Sequence, residues 1–366
     1  MHVAVVGAGI FGVTAALELR RRGCDVTLHD FGPIPNPLAE STDVSKAVRM
    51  DYGADDDYCA RMERALAKWR ESPLFHETGV MYLSRAPMAP GGFEHDSWQV
   101  LTRRGHRLQR VGPVDIRARF PAWNADVFVD GYFNPEGGWA ESGRVVASLL
   151  EEARSAGIRV HENLRIEGLE DVKAEHVVLC TGAWTSKLLP ELAGSFVESG
   201  QPVFHLKPRD PSRFEAGVFP TYGADIATTG WYGFPMHPSG VLKIANHGPG
   251  RRLDPDGPRD VTAASERVLR EFLRVGFPQL HDAPIVATRT CIYCDTRDGH
   301  LWIARHPQRE NLTVATGGSG HAFKFAPLLG AWIADAALGV PNPELHRFRW
   351  RPELVSQRTE EAARKV

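Results

Sequence analysis

Apolar positions at the start of the chain fall into short runs separated by glycine and polar turns. Val3–Val6 is a continuous apolar run of strand length, and GAGIFG follows at residues 7–12. Residues 11–22 carry helical spacing, and VTLHD, Val26–Asp30, reads as a second strand. This is a β-α-β unit of about 30 residues. Tyr58, Met62, Leu66 and Trp69 then recur at helical spacing, with Asp55, Asp56 and Asp57 at the helix start, where the dipole favours acidic residues. VMYLS, Val80–Ser84, predicts a strand, and the Pro/Gly-rich stretch Pro87–Gly92 a loop. After NPEGGWAES, from Asn134, Val146, Leu149, Leu150 and Ala153 mark one face of a helix that Gly157 closes. IRVHENLRI then reads as a strand or hairpin, and HVVLCTGAW, from His176, as a buried strand ending in a glycine turn.

From about Gln201 to Thr290 the pattern changes to short β-like runs such as TGWYGFP and VLKIANHG, with one helix over Ala263–Val275. The α/β pattern returns in LTVATGGSGHAFKFAPLLGAWIADAAL: strand, glycine loop, helix. Phe325, Leu328, Leu329, Trp332 and Ile333 form that helix's apolar face, so the glycine loop at its N-terminus points away from the core. The fold class expected is α/β, a discontinuous Rossmann-like domain of residues 1–80, 140–200 and 291–366. A β-rich α+β domain of residues 81–139 and 201–290 is inserted into it.

Charge narrows the partners. The 366 residues carry 43 Lys and Arg against 45 Asp and Glu, a net charge of -2, so no field draws the chain to nucleic acid or anionic lipid. The longest early apolar run is broken by Gly7, Gly9 and Gly12 and followed by Arg20–Arg22, which argues against a membrane span. No Lys or Arg precedes Val3, so a secretory signal is not expected, and the odd, sparse cysteine set favours a cytoplasmic setting. The five cysteines, Cys24, Cys59, Cys180, Cys291 and Cys294, are too few and too scattered for a disulfide framework. Cys291 and Cys294 form one CxxC with no second ligand pair, so no metal site is expected.

GAGIFG between a strand and a helix is a dinucleotide-binding arrangement. Gly7 permits the turn, Gly9 lets the backbone approach a pyrophosphate, and Gly12 lets helix and strand pack closely. Asp30 ends the second strand, where its carboxylate meets ribose hydroxyls.

Several separated motifs together resemble the flavin amine oxidases of the D-amino-acid-oxidase superfamily, in the group of monomeric sarcosine oxidase, N-methyltryptophan oxidase and fructosyl-amino-acid oxidases. They are GAGIFG with Asp30, STDVSKAVRMDYG, PEGGWAESGRVVASLL, VVLCTGAWTSKLLP, WYGFP with VLKIANHG, TCIYCDTRDGHLWIA and GGSGHAFKF. The resemblance runs nearly end to end. It implies that the dinucleotide is FAD, with the Rossmann-like domain holding it and the inserted domain binding substrate. It further implies cofactor contacts from Ile10, Phe11, Ser41, Thr42, Lys46, Thr181, Gly182 and Trp184, and from Gly318, Gly320 and Lys324 around the glycine loop. Backbone N–H groups of that loop suit negative charge developing on the flavin. A Cys followed two residues later by Tyr matches Cys291 and Tyr293, which implies FAD bound covalently through Cys291. Cys294 receives no role.

By the same resemblance, Arg49 and Lys324 hold a substrate carboxylate, the guanidinium with two parallel bonds and the ammonium as a point charge. Lys243 promotes oxygen reduction, although a strand lysine would otherwise face solvent. Tyr232, His247 and Tyr293 line the substrate pocket. Two departures concern the ring environment: Lys46 replaces an arginine of sarcosine oxidase, as in the fructosyl-amino-acid oxidases, and Thr42 replaces a histidine. The implied activity is oxidation of an amino acid's C–N bond, a secondary or cyclic amine for preference, to an imine with O2 reduced to hydrogen peroxide. The neutral amine drives hydride loss, so no side-chain base is needed and activity rises toward the bound amine's pKa. Alternatives are a dehydrogenase with another electron acceptor, a fructosyl-amino-acid oxidase, a non-catalytic flavoprotein subunit and an NAD enzyme. The acidic stretch Asp51–Asp57 is a candidate gate favouring cationic or polyhydroxylated amines. The resemblance also implies a monomer.

Overall fold

A computed structural model describes residues 1–354; the rest of the expected C-terminal segment, 355–366, lies outside the described residues. The first β-α-β unit forms as the apolar pattern requires: strand His2–Val6, helix Ile10–Arg21, strand Asp25–His29. Its strands sit within a six-stranded sheet in the order Trp302–Arg305, Leu312–Thr316, His176–Leu179, His2–Val6, Asp25–His29, Arg159–His161. All pairings are parallel except the first, which is antiparallel. Strands buried on both faces read as continuous apolar runs, and that is why VAVV, HVVL and LTVAT were legible. Helices Ile10–Arg21 and Ala326–Leu338 cover one face, burying Val13, Leu19, Leu329 and Ile333 completely. Gly12 makes the close packing possible, since a Cβ there would lie 1.7 Å from the Gly7 carbonyl oxygen.

The second layer is a nine-stranded sheet built mainly from residues 80–134 and 196–296. Its spine is a long antiparallel pair, Phe196–Leu206 with Ile285–Thr296, each strand running through a point where the sequence pattern changes. A core of its own, with Trp123, Phe128, Phe219, Tyr222 and Phe277, lies under helix Ala263–Gly276. Thr262 caps that helix by accepting from Ser265 N–H. A three-stranded sheet of Lys46–Val48, Gly138–Ala140 and Phe75–His76 sits separately, so Lys46 is held on a strand. Helices Phe93–Arg103 and Pro113–Arg119 fill a region where the sequence had shown no helix. Among the described residues no helix is long and apolar enough to cross a membrane.

Candidate active site

A cleft of about 340 Å³ runs across the C-terminal ends of the parallel strands. This is where an open α/β sheet binds its ligands, because strand ends and helix N-termini leave backbone donors unpaired there. Gly7, Gly9, Ile10, Phe11 and Asp30 line one part of it, and Thr181, Gly182 and Trp184 another; Gly318 and Gly320 contribute the loop before the last α-helix. Ser41 lines it too and fixes the first helix, its hydroxyl accepting from Ile10 N–H at 2.9 Å. Asp30 Oδ2 accepts from Ala8 N–H at 2.8 Å, while Oδ1 accepts from Gly32 N–H and the Asn36 amide. A carboxylate offers about four acceptor sites, so capacity remains for a hydroxyl entering the cleft.

Ser319 gives the glycine loop its shape, adopting φ +48°. Its N–H donates to the Cys294 carbonyl, and its hydroxyl accepts from Thr296 N–H at 3.2 Å. Gly320 has φ +75° and packs so tightly that a Cβ would lie 2.4 Å from the Tyr293 ring. Cys294, which the sequence left without a role, belongs to the core under Trp302 and receives a hydrogen bond from Thr316.

A second, smaller cavity of about 70 Å³ shares Lys46, Phe323 and Gly320 with the cleft. Arg49, Tyr232, His247, Tyr293 and Lys324 line it, so the structure gathers these residues from three distant parts of the chain. Lys324 is 3% exposed and Arg49 half-buried. Both cations lie near one ring: Tyr52's centroid is 5.2 Å from the Arg49 guanidinium carbon and 4.5 Å from Lys324 Nζ. Arg49 also donates to the Asp51 main-chain carbonyl. Burial pushes the Tyr232 phenol up to about 12 and the Tyr293 phenol well above its ordinary value, so both stay protonated. The Tyr293 hydroxyl lies 3.5 Å from His247 Nδ1.

Sequence reasoning missed Tyr52, Tyr82 and His321. His321 Nε2–H donates to the Gly299 carbonyl at 2.8 Å, and its Nδ1 faces the Tyr52 hydroxyl at 3.0 Å. His321 and Tyr82 line the smaller cavity, and Tyr82's ring lies 6.0 Å from the Arg49 guanidinium. Tyr52 and His321 sit inside the quoted motifs DYG and GGSGH; their aromatic character beside the two cations was the available signal.

Four expected residues line neither cavity: Gly12, which packs against the Gly7 carbonyl, and Cys291, Thr42 and Lys243. Cys291 is buried on strand Ile285–Thr296, next to Ile292, which does line the cleft. Lys46 Nζ lies 3.9 Å from its sulfur. Burial opposes charge on Lys46, but Cys291, Tyr232, Glu40 and Asp43 together raise its pKa. Thr42 contributes its carbonyl to Arg289. Lys243 is buried and pairs with Asp43 at 2.6 Å rather than facing solvent.

The carboxylates of the acidic stretch are engaged away from the smaller cavity. Asp51 is fully buried and accepts from the Tyr132 hydroxyl at 2.7 Å. Asp55 caps helix Asp56–Trp69 by accepting from Tyr58 N–H and pairs with Arg347. Asp56 pairs with Arg104 and Asp57 with Arg61, and none of the four lines the smaller cavity.

A family profile described as FAD dependent oxidoreductase (DAO) matches residues 2–336. The chain belongs to the DAO family of FAD-dependent oxidoreductases. The cleft fits that cofactor on its own terms: a glycine turn at a helix N-terminus, an oriented carboxylate, and a second glycine loop facing the same space. Among curated DAO relatives, the chain is 26% identical to monomeric sarcosine oxidase from Bacillus sp. (strain B-0618), with 92% of each chain covered. It is 28% identical to N-methyl-L-tryptophan oxidase from Salmonella heidelberg (strain SL476), covering 94% of this chain and 97% of that one. The solved fructosamine oxidase from Aspergillus fumigatus (Amadoriase II) shares the fold, with a TM-score of 0.83 at 24% identity over 96% of this chain and 90% of that one.

Proposed function

We propose that this DAO-family protein oxidises the C–N bond of a small amino acid bearing a secondary or cyclic amine, with O2 as the electron acceptor and hydrogen peroxide as a product. The observation that carries the reading is the pair of cations, Arg49 and Lys324, in a small aromatic cavity that joins the dinucleotide cleft at Lys46, Phe323 and Gly320. FAD, when bound, accepts the electron pair from the substrate and passes it to oxygen. Asp30, Ser41 and the backbone of Gly7–Phe11 would hold its adenosine half, and Gly318–Gly320 would face its ring.

Arg49 and Lys324 grip the substrate carboxylate, since a guanidinium supplies two parallel donors and the ammonium adds charge. Fixing one end of a short molecule fixes the other, so the amine is presented where the two cavities meet. The tyrosine rings exclude water and leave the amine neutral. His321 is held beside them, its Nε2–H directed at the Gly299 carbonyl. The size of the cavity, about 70 Å³ against about 340 Å³ for the cleft, favours a small amino acid over a glycated one.

Cys291 is proposed as a covalent anchor for the flavin, supported by its place beside the cleft-lining Ile292 and the ammonium of Lys46 3.9 Å from its sulfur. The test is peroxide release from N-methyl and cyclic amino acids, compared with the same amines lacking the carboxylate. Turnover of the carboxylated set alone supports the reading, and equal turnover of both sets removes the carboxylate clamp.

A further inference from the structure

We propose that Asp43 is a positioning residue for Lys243, its buried carboxylate fixing the lysine ammonium behind the site and keeping it charged. The inference rests on the oxidase reading above, in which Lys243 serves oxygen reduction.

Lys243 is 1% exposed on strand Leu242–Asn246. Its Nζ lies 2.6 Å from Asp43 Oδ2, donates to the Ser45 carbonyl at 2.6 Å, and is 4.9 Å from the centre of the Phe234 ring. The Asp43 side chain is 2% exposed. Its position is fixed from several sides. Its main-chain carbonyl accepts from Ser142 Oγ and Gly143 N–H at the start of helix Ser142–Ser155. Oδ1 accepts from Val44 N–H at 2.7 Å and lies 3.3 Å from His205 Nε2. Arg289 ties the preceding segment down by donating to the Thr42 and Ala39 carbonyls.

A carboxylate anchored this way has nowhere to swing, and neither has the ammonium it holds. Burial alone favours a neutral amine, because an isolated charge in an apolar interior is costly. Around Lys243 the charged and titratable neighbours are Asp43, Lys46 and Cys291; around Asp43 they are Lys243, His205, Arg289 and Lys46. Burial, with Lys46 pushing the same way, brings Lys243 down to about 8 even though Asp43 opposes both. Burial would raise Asp43, yet Lys243, His205, Arg289 and Lys46 hold it well below the usual carboxylate range. Lys243 is therefore a fixed charge, held in place by Asp43 and the Ser45 carbonyl, with Asp43 the nearest opposite charge. A fixed charge needs no reorganisation when negative charge develops on oxygen, and this is what makes it effective.

The experiment labels lysine Cε with ¹³C and follows the pH titration by NMR in flavin-free and flavin-loaded protein, with Lys243→Met identifying the resonance. Asp43→Asn is expected to lower the Lys243 midpoint by about one pH unit or more, the scale of a close opposite charge, and Asp43→Glu to restore much of the shift. Asp43→Ser, smaller and neutral, repeats the test if the amide is poorly tolerated. An unchanged midpoint in these variants overturns the proposal. In stopped flow, the alkaline limit of reoxidation by O2 should move down with the midpoint. If the midpoint moves while reoxidation ignores both Asp43→Asn and Lys243→Met, the pairing stands and the oxygen role of Lys243 falls.

Discussion

Lys46 Nζ stands 3.9 Å from the sulfur of Cys291, across 245 residues of sequence. Lys46 lines both the cleft and the smaller cavity, whereas the cysteine lies just behind the wall. The contact puts positive charge beside the proposed attachment sulfur. Acid precipitation is expected to leave the yellow colour in the pellet of the unsubstituted protein and to release it from Cys291→Ser. Colour released from both would remove the covalent link while leaving FAD binding intact.

The carboxylate clamp predicts a split between substrates. Arg49→Ala removes charge-assisted hydrogen bonds worth about 1.5–3 kcal/mol, roughly a 10- to 100-fold loss in kcat/KM for amino acids. Arg49→Lys is expected to recover only part, since an ammonium has no planar fork. Thermal unfolding and flavin content of the variant supply the control, and a matching loss of both would assign Arg49 to structure alone.

Gly12 bears on folding before it bears on catalysis. A Cβ at this position falls 1.7 Å from the Gly7 carbonyl oxygen, so Gly12→Ala must separate helix Ile10–Arg21 from its strand. Overpacking of this severity costs about 3 kcal/mol. Denaturant unfolding should show that loss together with reduced flavin content, and normal stability would mean the helix start yields more easily than the geometry implies.

Glu94 predicts a pH dependence of stability. It is 6% exposed, and burial raises its carboxyl from 4.5 to about 7. The folded state therefore binds more protons than the unfolded chain between those values. Wild-type stability falls as pH rises through that window, by about 3 kcal/mol in total. Glu94→Gln abolishes the ionisation, so its melting temperature should exceed that of wild type at about pH 8, with the advantage lost at about pH 4.5. A difference that does not change with pH would show that Glu94 ionises normally.

The sheet that holds the cleft was legible because its central strands are mainly apolar and its turns carry glycine. Val3–Val6, His176–Leu179 and Leu312–Thr316 all came through this way. The acidic start of helix Asp56–Trp69 was read correctly as a helix terminus. The long strands Phe196–Leu206 and Ile285–Thr296 were not legible, because Glu198, Ser199 and Gln201 interrupt the apolar pattern of the first and Thr288, Arg289 and Thr290 that of the second. Two of these polar residues are buried and bonded: Ser199 to Asp295, and Gln201 to the Gly248 carbonyl. Asp43 and Lys243 are 200 positions apart, and Arg49 and Tyr52 meet Lys324 only through packing of the last helix. No local pattern encodes such meetings; the family resemblance supplied the cations, and the structure supplied Tyr52, His321 and Asp43.

The most direct measurement mixes purified protein anaerobically with an N-methyl or cyclic amino acid, follows the flavin's visible absorbance, and then admits air while assaying peroxide. The account predicts bleaching by the amino acid, none by the amine lacking its carboxylate, and recovery of colour with about one peroxide per flavin reduced, the stoichiometry of a two-electron transfer to O2. Bleaching without recovery in air would contradict the oxidase assignment, and no bleaching by any amino acid of either class would contradict the proposed reaction.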